Sequence, residues 1–121
     1  MTPQDLVSFV KLVGKMYQLQ QRFFNGDVTA FIQAKVFERK VDQVIANYNF
    51  QSQIAQVWEH RFIALVNETR TAQKKYFKSP NNLDKLRARE IEQRLGKALE
   101  WMKTNFPEGI DPDVVQTSMY D

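Results

Sequence analysis

The chain has 121 residues, of which 43% are hydrophobic and nine are Phe, so it is long and apolar enough to bury the core of one domain. It has no Cys, which excludes a disulfide framework, a thiolate metal site and a cysteine nucleophile. The net charge is +3, but residues 51–104 carry eleven basic and six acidic groups, whereas residues 105–121 carry four acidic groups and no basic one. The second half of the body is therefore basic, with an acidic tail attached.

The hydropathy of the chain indicates no membrane association. No apolar run approaches the length of a membrane-spanning helix. The first residues are acidic where a secretory signal would be basic. We therefore expect a cytoplasmic protein without a membrane partner.

Four helices are predicted from apolar periodicity and from start and stop signals. Helix 1 begins at Thr2-Pro3-Gln4-Asp5, where a capping threonine precedes a proline suited to the first turn, and it ends before Asn25-Gly26. Asp27 is the candidate cap of helix 2, and Ser79-Pro80 repeats the cap-plus-proline signal at helix 4. The predicted helices cover residues 3–24, about 28–49, about 51–78 and from Ser79-Pro80 to about Asn105.

The segment after the fourth helix differs in character, because two prolines and a glycine interrupt residues 106–112. Asp111-Pro112-Asp113 can start a short helix, and a mobile acidic segment is the alternative. We therefore divide the chain into a helical body, residues 1–105, and an acidic tail, residues 106–121. Folding of this tail back onto the basic second half is an open alternative.

Internal similarity connects the two halves of the body. Helix 1 shifted by 53 residues falls on helix 3, and helix 2 shifted by 54 residues falls on helix 4. Any two amphipathic helices share apolar spacing, so apolar matches alone do not indicate a repeat. Shared spacing does not explain the polar matches of Gln20 with Gln73 and of Glu38 with Glu92. The apolar matches include Phe9 with Phe62, Leu12 with Leu65, Phe24 with Phe77, Val41 with Leu95 and Tyr48 with Met102.

The predicted fold class is all-α, with two tandem, duplicated helical hairpins (about 3–49 and about 51–104) that form an antiparallel four-helix bundle. Each helix has an apolar stripe that steps by three and four residues, which is the packing pattern of such bundles. Neither Gly nor Pro occurs between Gly26 and Pro80, so a fused rod of helices 2 and 3 is the alternative. A rod of about 50 residues would span roughly 75 Å and would need a dimer to bury both hairpins. A bend near residues 47–52 is favoured, because such rods are rare.

The sequence offers no constellation for catalysis or for a metal. His60 is the single histidine, and it stands in neither a Glu-x-x-His nor a His-Glu-x-x-His motif. A general base also needs a nucleophile or an orienting partner, and none is evident beside His60. The four Gly are scattered, which excludes a Gly-rich phosphate loop. We therefore predict that the protein is not an enzyme and uses no cofactor or metal.

Two clusters of basic and aromatic residues are candidate binding surfaces. Gln21-Arg22-Phe23-Phe24 ends helix 1, and Lys74-Lys75-Tyr76-Phe77-Lys78 ends helix 3. Basic patches with nearby aromatic rings suit nucleic acid, although cations at a helix C-terminus also complement the helix dipole. The candidate nucleic-acid contacts are Lys74, Lys75, Lys78, Lys85, Arg87 and Arg89.

Four aromatic residues are candidate contacts for a protein partner, with internal packing as the alternative role. They are Phe24, Trp58, Phe77 and Trp101. We predict a non-catalytic helical module for protein interaction or self-assembly, whose partner is another protein or a second copy of the chain. A nucleic-acid-binding accessory protein is the alternative, and the small net charge of +3 disfavours it.

Residues 70–78 (RTAQKKYFK), followed by residues 89–95 (REIEQRL), resemble small uncharacterised helical-hairpin proteins of phages, prophages and gut Bacteroidales. Those proteins carry a similar Ala-Gln-Lys-x-Tyr-Phe run before a charged second helix. The resemblance covers about 35 residues, the size of one helical hairpin. It implies a phage or mobile-element context and no particular activity. The first hairpin departs from the pattern at Leu19 and at Arg22-Phe23-Phe24.

Overall fold

A computed structural model describes residues 2–51 and 57–105 of the chain, and within them it contains four helices and no strand. The helices are α1 (Pro3–Phe24), α2 (Ala30–Ala46), α3 (Val57–Lys78) and α4 (Asn82–Asn105). The predicted all-α fold class is therefore confirmed. The acidic tail and its predicted short helix lie outside the described residues.

Helix α1 begins and ends where the sequence predicts. The Thr2 hydroxyl accepts a hydrogen bond from the Asp5 amide at 3.1 Å, and the Asp5 carboxylate accepts one from the Thr2 amide at 3.3 Å. The two residues thus close a capping box and satisfy amides that the first turn leaves without intrahelical partners. After the helix, Gly26 has φ 102°, a left-handed conformation that glycine reaches without steric cost.

Helix α2 is shorter than predicted at both ends. Asp27 accepts from the amide of Thr29 at 3.1 Å within the connecting turn, so the helix begins only at Ala30. It ends at Ala46, and residues 47–51 are not helical. The rod alternative is therefore wrong, and the chain bends where the break was favoured.

In the second hairpin, helix α4 begins later than predicted. Helix α3 is described from Val57 onward, and its predicted start after residue 51 falls on residues 52–56, which lie outside the described part of the chain. Helix α4 starts at Asn82 because Asn81, and not Ser79, caps it. The side-chain oxygen of Asn81 accepts from the Asp84 amide at 2.8 Å, which is the geometry of an N-cap.

The helices form two antiparallel hairpins that close one bundle. Helix α1 packs on α2 and α3 packs on α4, and contacts of α2 with α3 and of α1 with α4 join the hairpins. Across the interior, Phe9 of α1 and Phe62 of α3 meet edge to face with ring centroids 6.0 Å apart. Along residues 2–51 and 57–105, no helix combines the length and the apolar content that crossing a bilayer requires. The largest fully buried apolar side chains are Leu6, Val13, Met16, Leu19, Val41, Ile63, Val66 and Leu95.

Candidate functional site

A cluster of polar side chains lies inside the bundle, where Gln20, Glu38, Gln73 and Glu92 are each at most 5% exposed. The two glutamine amides bond each other reciprocally, each Nε2 donating to the other's Oε1 at 3.1 Å. Gln20 also donates to Glu38 at 2.8 Å, and Gln73 donates to Glu92 at 3.1 Å. We call these four residues the polar quartet. They are the two polar pairs that the internal repeat matches.

Arg70 of α3 extends the polar quartet toward α2. Its guanidinium donates two hydrogen bonds to the Asp42 carboxylate, at 2.9 and 3.1 Å, and a third to Oε1 of Gln73 at 2.7 Å. Its Nη1 atom also lies 3.7 Å from a carboxylate oxygen of Glu38, and its side chain is only 7% exposed. The planar guanidinium therefore joins acceptors from both hairpins in one buried contact.

The matched positions in the other inter-hairpin contact carry different residues. Tyr17 matches Arg70, and Gly96 matches Asp42. Tyr17 lies on Gly96 so closely that a Cβ atom at this position would overlap the tyrosine hydroxyl. One contact between the hairpins is thus an ion pair, and the other is an aromatic ring over a glycine.

The pKa values of Asp42 and Glu92 are shifted in opposite directions. Burial acts to raise the pKa of Asp42, but the hydrogen bonds and charges of Arg70 and Lys74 together outweigh it and lower that pKa overall. Burial raises the pKa of Glu92, and the opposing effects of Gln73 and of Arg89, 3.5 Å away, offset it only in part. Among the described residues, Glu92 has one cationic partner, Arg89, whereas Glu38 lies within 4 Å of both Lys35 and Arg70.

We expect Glu92→Gln to remove a pH-dependent loss of stability. Because folding raises the pKa of Glu92 above its ordinary value of 4.5, the folded state binds this proton more strongly than the unfolded state. The stabilisation is complete below 4.5 and is lost as the pH rises through the raised pKa. Thermal unfolding, followed by circular dichroism across that window and up to neutral pH, should show this slope only in the wild type. Asp42 contributes the opposite slope to both proteins, so the difference between them isolates Glu92.

Glu38→Gln is the matched control, because it neutralises the equivalent carboxylate in the first hairpin. Glu38 lies 3.1 Å from the Lys35 ammonium and 3.7 Å from Arg70, so its charge has two cationic partners. Its neutralisation should cost about 1–3 kcal/mol at neutral pH. Equal destabilisation by Glu92→Gln and Glu38→Gln at neutral pH would contradict the conclusion that burial of the Glu92 carboxylate is only partly offset.

The polar quartet and Arg70 use their hydrogen-bonding groups within the protein. Among the described residues, no buried side-chain nitrogen or oxygen lacks a hydrogen-bond partner. The same residues contain no group of three or more His, Asp or Glu side chains placed to hold a metal ion. The hydrogen bonds of the polar quartet and Arg70 therefore join the two hairpins.

His60 lies toward the opposite end of the bundle, beside the turn that follows α2. The Tyr48 hydroxyl donates to the Glu59 carboxylate at 2.6 Å and lies 2.8 Å from Nδ1 of His60. Burial and the Glu59 carboxylate raise the pKa of Tyr48, so this hydroxyl stays protonated as a donor. These contacts fasten the turn to the first part of α3.

The α1–α2 and α3–α4 turns lie at the same end of the bundle, which we call the turn end. There, two cations at matched positions of the repeat pack on aromatic rings. The Lys35 ammonium lies 4.4 Å from the centroid of the Phe77 ring. Arg89, the match of Lys35 in the repeat, lies 4.2 Å from the Phe24 ring. Each hairpin therefore places a cation over a ring of the other hairpin.

Exposed apolar side chains concentrate at the turn end. Val28, Ile32, Leu83 and Leu86 are each between 67% and 74% exposed, and Phe77 is 50% exposed. The four aliphatic residues are not predicted from the sequence. Two signals could have found them: Ile32 and Leu86 are matched in the repeat, and none of the four lies on an apolar stripe that packs in the core. We define the apolar tip as Val28, Phe31, Ile32, Val36, Phe77, Leu83 and Leu86.

The structure separates the six candidate nucleic-acid contacts. Lys74 faces α2, where its ammonium lies 3.0 Å from Asp42, whereas Arg89 lies against α1 over the Phe24 ring. Lys75 lies 3.7 Å from Asp84 across the α3–α4 turn. The three that are exposed without an acidic partner among the described residues are Lys78, Lys85 and Arg87.

The candidate partner contacts fall at different places. Phe77 belongs to the apolar tip, whereas Trp101 is 51% exposed near the end of α4. Phe24 is partly buried beneath Arg89 and packs within the turn end. Trp58 is in α3, but its side chain lies outside the described part of the structure.

No protein-family model, curated protein or solved structure matches this chain. The geometry itself defines the class, which is a four-helix bundle of two antiparallel hairpins joined by a buried polar quartet. The similarity to helical-hairpin proteins of phages and Bacteroidales stays a prediction.

Proposed function

We propose that the protein is a non-catalytic helical module that binds a protein partner, or a second copy of itself, through the apolar tip. The observation that carries this proposal is the exposure of Val28, Ile32, Leu83 and Leu86 at one end of the bundle. Exposed apolar side chains scattered singly are ordinary, whereas several large ones at one end of a domain favour an interaction surface there. We place this module in the cytoplasm and, on the resemblance of residues 70–78 and 89–95, in a phage or mobile-element context.

The apolar tip is suited to docking because its base is well packed. Phe31 packs on Phe23 with ring centroids 5.2 Å apart, and the Lys35 ammonium lies between Phe31, at 5.3 Å, and Phe77, at 4.4 Å. A surface held in place before binding loses less conformational entropy on association. Burial of one large aliphatic side chain contributes up to about 1.5–3 kcal/mol, so the exposed residues supply a useful gross gain.

The unpaired cations near the apolar tip indicate the chemistry of the partner. Lys78 ends α3 and Lys85 and Arg87 lie in the first turns of α4, all close in sequence to Leu83 and Leu86. A complementary surface would be apolar at its centre and acidic at its edge. The same three cations favour the nucleic-acid alternative, whereas the separation of Lys74 from Arg89 speaks against it.

We expect the double substitution Ile32→Ser and Leu86→Ser to weaken association by about tenfold or more, which corresponds to about 1.4 kcal/mol. Both side chains are exposed, so their loss should leave the thermal midpoint nearly unchanged. Sedimentation velocity over a range of concentrations measures self-association, and quantitative affinity capture with each variant as bait measures partner binding. Gln33→Ser and Gln93→Ser, exposed polar positions on the same helices, form the matched control.

Two outcomes would count against the proposal. A wild-type chain that stays monomeric, together with capture of the same partners in the same amounts by the double variant, would show that the apolar tip is not a binding surface. Salt-sensitive binding of short DNA or RNA that is lost on charge reversal of Lys75 and Lys78 would favour the alternative function.

A further inference from the structure

A second apolar surface lies away from the turn end, in a groove between the first part of α3 and the last part of α4. The groove is open to the surface, has a volume of about 330 Å³ and is lined by Arg61, Phe62, Leu65, Ala98, Trp101 and Met102. Its floor is apolar and its volume falls at the lower end of the range for ligand pockets, roughly 300–1,000 Å³. Trp101 forms part of its wall and is 51% exposed. We call this feature the α3–α4 groove.

Helix α4 leads the chain directly to this groove. Met102, in the lining, lies one helical turn before Asn105, where α4 ends. Sixteen further residues follow in the sequence, and an extended segment of that length reaches up to about 55 Å. The groove residues of α4 span only about 6 Å of helix rise, so a single reversal of the chain after α4 is sufficient for the acidic tail to reach the groove. Pro107 and Gly109 are residue types suited to such a reversal.

The charges of the two surfaces are complementary. Residues 106–121 contain four acidic and no basic side chains. Arg61 on the edge of the groove and Lys97, one turn before Trp101, are exposed and have no acidic partner among the described residues. The tail also contains apolar residues that could enter an apolar groove, namely Phe106, Ile110, Val114, Val115, Met119 and Tyr120.

We propose that the acidic tail docks on its own bundle in the α3–α4 groove. Apolar side chains of the tail cover Trp101 and Leu65, and tail carboxylates lie near Arg61 and Lys97. Because the tail is covalently attached, its effective concentration at the groove is of millimolar order, so a weak intrinsic affinity is sufficient. This site is separate from the apolar tip, and neither proposal depends on the other.

The fluorescence of Trp101 tests the docking. The chain has two tryptophans, so Trp58→Phe leaves Trp101 as the single reporter. In this background we expect Val114→Asp with Val115→Asp to shift the Trp101 emission to the red and to increase its quenching by acrylamide. A chain that ends at Asn105 should show the same changes, and addition of a synthetic peptide of residues 106–121 should reverse them. Salt at about 1 M, where the Debye length is about 3 Å, should partly mimic the release.

Charge variants separate docking from a general change in the bundle. Arg61→Glu should release the tail, whereas Arg39→Glu, at an exposed and unpaired position on α2, should not. Unchanged emission and quenching in the full-length Val114→Asp/Val115→Asp chain, with an unchanged far-ultraviolet spectrum, would overturn the proposal. The Ile32→Ser/Leu86→Ser variant should leave Trp101 quenching unaltered, so failure at the apolar tip and failure at the groove give different results.

Discussion

Replacement of Arg70 with Met is expected to lower the free energy of unfolding by about 3–5 kcal/mol. The side chain of Arg70 is 7% exposed and holds Asp42 and Gln73 through three hydrogen bonds of 2.7–3.1 Å. Met matches the aliphatic stem of Arg and is close to it in helix propensity, so the substitution removes the guanidinium with its charge and donors and keeps the packing of the stem. Asp42 keeps the exposed Lys74 as a partner, which places the expected loss near the lower bound. Urea denaturation gives this value directly.

Two further variants test whether the stability lost in Arg70→Met comes from the buried ion pair. Arg94→Met removes an exposed arginine, 4.0 Å from Glu68 and 62% exposed, and should change stability by at most about 0.5 kcal/mol. In the double variant Arg70→Met/Asp42→Leu the Asp42 carboxylate is removed together with its guanidinium partner, and Glu38 keeps the Lys35 ammonium at 3.1 Å, so part of the stability should return. Equal effects of Arg70→Met and Arg94→Met would show that the buried ion pair does not join the hairpins.

The second large effect is expected for Gln73→Leu, with a loss of about 2–4 kcal/mol. Gln73 donates to Gln20 and Glu92 and accepts from Gln20 and Arg70, at distances between 2.7 and 3.1 Å. Leu fills a similar volume, but the partners of Gln73 are then buried with unsatisfied groups, and two of these partners are charged. Chemical denaturation of the variant and of the wild type measures the difference.

Gln20→Leu is the matched variant on the other side of the polar quartet, and it should cost less. Gln20 has no guanidinium partner, and the carboxylate it leaves behind, Glu38, keeps Lys35 at 3.1 Å and Arg70 at 3.7 Å. The double variant Gln20→Leu/Gln73→Leu should lose less than the sum of the single losses, because the reciprocal pair disappears once. A larger effect at Gln20 than at Gln73 would contradict this description of the cluster.

These expectations share one physical basis, which is the register of the two hairpins. The reciprocal amide pair forms only when Gln20 and Gln73 lie at the same height in the bundle. A shift of one hairpin by a helical turn would separate the two amides by about 5 Å and would bury them without partners. Apolar side chains alone pack in several alignments of the two hairpins. Buried polar contacts of this kind select one of these alignments.

Local signals in the sequence determined much of this fold. The bounds of α1, its cap at Thr2 and its stop at Asn25-Gly26 are predictable, because capping and left-handed turns depend on neighbouring residues. The apolar stripes predict the two-hairpin bundle, and the match of Gln20 with Gln73 exceeds what shared apolar spacing explains. The starts of α2 and α4 were placed wrongly, because several side chains in each turn compete to cap the helix.

What the sequence by itself determined about this protein is therefore the helices, their pairing in hairpins and the identity of the matched residues. Only the tertiary structure decided that Arg70 meets Asp42 while Tyr17 lies on Gly96, and that the apolar tip stays exposed. The reason is the range of each signal. Helical periodicity shows which residues share a face, but the residues that a face meets across the bundle are distant in sequence and are chosen by packing.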